Sequence, residues 1–157
     1  MRVFLKVVRA QYGLVVMVLM AATVGCGVHP GEASTAANQV RVLVTAEIQY
    51  QAGYGKYAPD IQALGGAELC QEPTSAHACL IDGTLADSSS AHPKYDYYYM
   101  VRPGPNADAF VVWGIPVDSD SQAFCAIDDG VVRASDSGVD ASSTSYAACK
   151  SLTPIDD

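Results

Sequence analysis

The sequence predicts an α+β domain in which one long N-terminal helix packs on a roughly four-stranded antiparallel sheet. Three observations predict it. Small and apolar residues recur at helical spacing over residues 32–51 (Ala33, Ala36, Ala37, Val40, Leu43, Val44, Ile48), with Glu47 on the same stripe. Further along, four stretches alternate as strands do: residues 95–102, 110–117, 122–127 and 131–134. Finally, helix and strands are segregated along the chain, which favours a two-layer arrangement over a βαβ repeat.

The elements follow in order. Glu32 near the helix start suits the positive end of the helix dipole. Gly53 and Gly55 mark its end. Tyr50, Tyr54 and Tyr57 cluster there and are expected to pack the helix end onto the sheet, burying ring and leaving hydroxyl wet. Pro59 suits the first position of a short second helix over residues 59–64, which Gly65 and Gly66 stop. Residues 70–79 read as a polar loop, and residues 88–93 as a connector. Between the first two strands, Pro103-Gly104-Pro105-Asn106 is a turn. Asp128-Asp129-Gly130 joins the third and fourth strands as a hairpin. After Ser135 the chain is rich in Ser, Asp, Gly and Ala, too poor in large apolar residues to bury itself well.

The N-terminus reads as a targeting segment. Arg2, Lys6 and Arg9 precede 18 uncharged residues (11–28) whose apolar heart, 14–20, is short for a membrane span of about 20 residues. Small residues then lead to Cys26 in Ala21-Ala22-Thr23-Val24-Gly25-Cys26. The expected division is a signal peptide over residues 1–25, an anchor and tether over 26–31, and a globular domain over 32–157. About 131 residues after the signal suffice for one domain with a core.

The net charge is −8, and loss of residues 1–25 removes three cations and no acid, leaving −11. The remaining cations (Arg41, Lys56, Lys94, Arg102, Arg133, Lys150) are scattered, so no basic cluster exists to neutralise phosphates, and nucleic acid is not an expected partner. Beyond Cys26 lie Cys70, Cys79, Cys125 and Cys149, an even count that favours disulfides in an exported chain. Three pairings are open. Cys70–Cys79 would close a short loop, and Cys125–Cys149 would tie the polar tail to a strand; these are the favoured ones. Zinc would want CxxC-type pairs, and none is present.

No catalytic motif emerges. His29, His77 and His92 fall in no HxxxH or HExxH spacing, no serine sits in GxSxG, and there is no Gly-rich phosphate loop. The chain is therefore expected not to be an enzyme and to need no cofactor or metal. Asp118 with Asp120, Asp128 with Asp129, and Asp136 with Asp140 are rich in oxygen, but none matches an EF-hand loop, and aspartate in turns commonly bonds its own backbone. The aromatic strand places Tyr98 opposite Tyr97 and Tyr99. With Trp113, Tyr98 is the candidate interaction surface, since tyrosine and tryptophan are enriched at interfaces, although core packing and strand propensity are the favoured account of these aromatic residues.

Residues 31–58 read GEASTAANQVRVLVTAEIQYQAGYGKYA. Glu32, Ala33, Ser34, Arg41, Thr45, Ala46, Glu47, Tyr50, Tyr57 and Ala58 match a NEAS…LR…TAE…Y…GYA run, and residues 80–86 match a short LIDxxLA segment. Phe124, Cys125, Asp128, Asp129, Gly130, Val131, Val132 and Arg133 complete the pattern. In these the chain resembles acidobacterial type IV pilin-like proteins and type II secretion pseudopilins. The N-terminus departs from that family. Gly13-Leu14-Val15-Val16-Met17 stands where a Gly-Phe-Thr-Leu-x-Glu start would be, with no counterpart of its glutamate. The segment ending at Cys26 instead resembles a bacterial lipobox, in which the cysteine is lipidated. Together the resemblances imply a pilin-type globular domain held at the membrane of the cell envelope by a lipid, facing the periplasm or cell exterior. They imply a structural role beside a type IV pilus or type II secretion apparatus. The competing expectation is a stand-alone surface lipoprotein that binds a glycan or peptide through Tyr98 and Trp113.

Overall fold

The computed structural model describes residues 30–66, 70 and 72–155. The long helix α1 spans Pro30–Tyr54, beginning earlier and ending later than the spacing predicted, so the first two described residues of the expected tether are already helical. Gly55 ends it at φ +71°, donating its N–H to the Gln51 carbonyl at 2.8 Å. Only glycine takes that φ without a Cβ penalty. The buried stripe of α1 is Ala36, Ala37, Val40, Leu43, Val44, Ala46, Glu47 and Tyr50. Ile48, expected on it, is 56% exposed.

Two single-turn helices follow, α2 (Ile61–Leu64) and α3 (Gly83–Ala86). Each is started by an aspartate whose carboxylate accepts the N–H three residues on: Asp60 from Ala63 and Asp82 from Leu85. Asp60 displaces the expected start at Pro59, because its side chain satisfies an otherwise orphaned N–H, whereas proline only pre-sets φ.

The sheet is an antiparallel meander of five strands in sequence order, not four: β1 (Tyr97–Pro103), β2 (Phe110–Pro116), β3 (Phe124–Ile127), β4 (Arg133–Ala134) and β5 (Thr153–Pro154). The extra strand comes from the tail. Arg133 pairs with Pro154 and Ala134 with Thr153. A proline is tolerated there because β5 is an edge.

Alternation sorts the strand residues into two apolar clusters. Tyr97, Tyr99, Val101, Phe110, Val112, Phe124 and Ala126 face α1. Val111, Trp113, Ile115, Cys125 and Ile127 form a second cluster on the opposite face. The covering of that second face is the main departure from expectation. The polar tail folds into a 3-10 turn (Ala141–Ser143) and the helix α4 (Tyr146–Ser151). Val139, Ala141, Tyr146, Ala148 and Leu152 pack there, and buried Cys149 is bonded to Cys125. A few apolar side chains and a covalent tie suffice where composition alone pointed to a loose tail. The second disulfide, Cys70–Cys79, closes the loop between α2 and α3, as the spacing favoured.

Candidate functional site

Tyr98 and Trp113 sit on neighbouring strands and point to the same side of the sheet, as the alternation required. The tail changes what they present. Trp113 is 1% exposed, and Cys125 lies opposite it in register. Tyr98 is half-buried. Burial raises its phenol, and the Asp140 charge adds to the shift. The indole N–H of Trp113 and the hydroxyl of Tyr99 are buried without a hydrogen-bond partner among the described residues. The sheet face proposed as an aromatic platform is thus roofed by residues 139–152.

At one end of this roof lies a shallow, open cleft of about 390 Å³, lined by Arg102, Pro103, Val111, Thr144 and Tyr146 among others. Its cation is engaged: Arg102 Nη1 donates to the Thr144 carbonyl at 3.1 Å, tying the end of β1 to the tail. The Asp128 carboxylate raises the Tyr146 phenol by hydrogen bonding to it, so this hydroxyl stays protonated at neutral pH. Asp128 is the carboxylate beside that hydroxyl, while the cleft's own lining is formed by Arg102, Thr144, Ser145, Tyr146 and small or apolar residues.

The chemically unusual group lies on the other face. Glu47 is 0% exposed, inside the α1 stripe. Its Oε2 accepts the N–H of Ala58 at 2.9 Å, fastening the segment after α1 back onto the helix. Its Oε1 has no hydrogen-bond partner among the described residues. Burial pushes the carboxyl up to about 7, the Ala58 N–H pulling back against it. Around it stand aromatic rings. Tyr50 donates to the Ser75 carbonyl at 2.5 Å, and Tyr57 packs on Phe110 with centroids 4.7 Å apart. The expected packing of Tyr50, Tyr54 and Tyr57 against the core is present, but Tyr50, 1% exposed, gives its hydroxyl to the Ser75 carbonyl rather than to water. The helical spacing had put Glu47 on the buried stripe, and an acid at an apolar position was the available signal.

Two ion pairs brace the turns. Lys94 Nζ meets both Asp82 oxygens at 2.9 and 2.7 Å. Burial raises the Asp82 carboxyl, but bonds from Lys94, Thr84 and the Leu85 N–H outweigh this and bring it to about 2. Arg133 grips Asp129 with both terminal nitrogens at 3.1 and 2.6 Å across the hairpin turn, holding that carboxyl below its ordinary value.

The acidic patches behave as turns: Asp118 accepts from the N–H of Asp120, and Asp129 from that of Val131. No group of three or more potential metal ligands occurs among the described residues, and no described helix is long and apolar enough to cross a membrane. His77 and His92 are exposed in turns. Cys26, His29 and the signal segment lie outside the described residues. No protein-family model, curated protein or solved structure matches the chain.

Proposed function

We propose that this is a non-enzymatic structural or interaction protein, anchored in the cell envelope by lipid on Cys26. Its globular domain is pilin-like and serves as an accessory of a type IV pilus or type II secretion apparatus. The observation that carries this reading is the close succession of a lipobox-like cysteine and a long helix. Cys26 stands four residues before Pro30, where a 25-residue helix begins and lays its stripe along the sheet. A lipid there attaches the helix end, and with it the domain, to a membrane surface; lasting attachment takes more than one acyl chain. The buried state of Trp113 gives the glycan- or peptide-platform reading no support.

Intact mass of the mature protein from a lipoprotein-processing host tests the anchor. A chain beginning at Cys26 and carrying a diacylglycerol adduct is expected, whereas an unmodified or differently cut N-terminus refutes it. Co-purification with pilus or secretion components from membranes, lost on Cys26→Ser, tests the accessory role.

A further inference from the structure

We propose that Glu47 is a proton-operated latch that holds residues 55–59 against α1. The geometry carries this. A carboxyl with no exposed surface has one oxygen bonded to the Ala58 N–H and the other bonded to nothing among the described residues. No cation is paired with it among the described residues, and an unpaired buried carboxylate is far more costly than a neutral acid. The closed state therefore favours the protonated form. Its Oε2 serves as the carbonyl acceptor for Ala58.

The titratable groups near Glu47 are two phenols and, beyond them, carboxylates. Tyr50 lies one turn on along α1, and Tyr57 lies within the latched segment; Glu47 acts on both phenols. Asp60, at the start of α2, acts on Tyr50. Asp108, ahead of β2, and Asp128, after β3, act on Tyr57. Lys56 is in the same segment, with its side chain exposed. Burial, rather than these charges, is what opposes ionisation of Glu47.

Losing the proton strengthens the bond from the Ala58 N–H, but burial weighs more against the charge than that bond weighs for it, so ionisation shifts the balance toward an opened segment in which the carboxylate meets water. Gly53 and Gly55 flank the helix end, and a side chain at either would meet only open space, so what resists movement is the buried Ala58 and the Tyr57 contact to Phe110 rather than packing at the two glycines. Release would lift Tyr57 from Phe110 and open the aromatic end of the core. The latch is thus tight in acid and loosened as the pH approaches neutrality. The inference is independent of the lipid anchor.

Amide hydrogen exchange of Ala58 between pH 5 and 8, corrected for the intrinsic rate, tests it in the protein and in Glu47→Gln. A closed-state carboxyl near 7 and an ordinary one in the opened state make the opening constant rise about tenfold per pH unit between roughly 5 and 7, levelling off above. Ala58 protection should follow that slope, remain below that of the Val112 amide in β2, and lose the slope in Glu47→Gln. Superimposable profiles of the two proteins overturn the latch. So does equal protection at Ala58 and Val112, which would mean exchange only through global unfolding. Should Glu47→Gln fail to fold, the side-chain carboxyl resonance of Glu47 decides: a midpoint near 7 sustains the proposal, and one at the ordinary carboxylate value overturns it.

Discussion

At Gly114, α1 and the sheet approach so closely that a side chain would have nowhere to go. A Cβ there would lie 3.0 Å from Tyr99 Cε1 and 3.3 Å from Val40 Cγ2. The Tyr99 ring is buried beside it and cannot swing clear into water. Gly114→Ala is therefore expected to destabilise the fold by about 1–3 kcal/mol, the usual range for overpacking, read as a lower urea midpoint at unchanged slope. The opposite sign is expected at the turn before β1. Tyr95 and Asp96 have φ of 54° and 58°, and Lys94 and Tyr97 exchange backbone hydrogen bonds across them. That is a two-residue hairpin turn with both central residues left-handed, a geometry that favours glycine at the second position. Asp96→Gly should raise stability by about 0.5 kcal/mol, the relief of the left-handed residue exceeding the added chain entropy. A fall in melting temperature would count against this account. Tyr95 is left in place because Lys94 Nζ lies 6.0 Å above its ring.

Among the elements, the tail is held most conditionally. Its cover over the second face rests on the Cys125–Cys149 bond, the Arg102 contact to Thr144 and a handful of apolar side chains. The bond closes a sequence separation of 24, for which a chain-entropy estimate gives about 3.5 kcal/mol. Reduction, or Cys125→Ala with Cys149→Ala, should free α4 and wet Trp113, shifting its fluorescence to the red. An unmoved spectrum would mean that apolar contacts alone keep the roof shut. This element was also the least legible in the sequence. The period of α1 and the alternation of β1 and β2 are local patterns of many residues, and both were readable. Residues 136–152 carry no such pattern, because their apolar members (Val139, Ala141, Tyr146, Leu152) are spaced for contact with a face made by other strands. A two-residue strand such as β5 has no periodicity at all; its pairing depends on where Cys149 anchors the chain. The same reasoning explains why Trp113 read as a candidate surface ring: alternation assigns a side to a residue but does not say what lies over that side. The disulfide pairing was legible only as a preference, set by loop closure.

For the molecule as a whole, its charged groups pull stability in opposite directions with pH. Asp82 is lowered from 3.8 to about 2, and Asp129 is also lowered. Groups of this kind bind protons more readily when unfolded. Their stabilisation is present above the ordinary carboxylate value and is lost as the pH falls through the lowered one. Both lie near the surface, Asp82 with 57% of its side chain exposed, so their share is modest. Glu47 acts with the opposite sign. Raised from 4.5 to about 7, it binds its proton more readily when folded. Its contribution is complete below 4.5 and falls away as the pH rises to 7, by about 3 kcal/mol at most. The −11 charge of the chain beyond residue 25 adds self-repulsion in the same direction. The fold should accordingly be most stable in mild acid, near pH 4–5, and weaker at pH 8, unlike proteins whose carboxylates are all paired. Urea unfolding at pH 4.5 and 8 measures the difference. In Glu47→Gln it should shrink by most of the Glu47 share while the decline below pH 4 remains, since Asp82 and Asp129 are untouched. Equal stability of the native chain at the two pH values would show that Glu47 ionises in the folded state at its ordinary value, despite having no exposed surface.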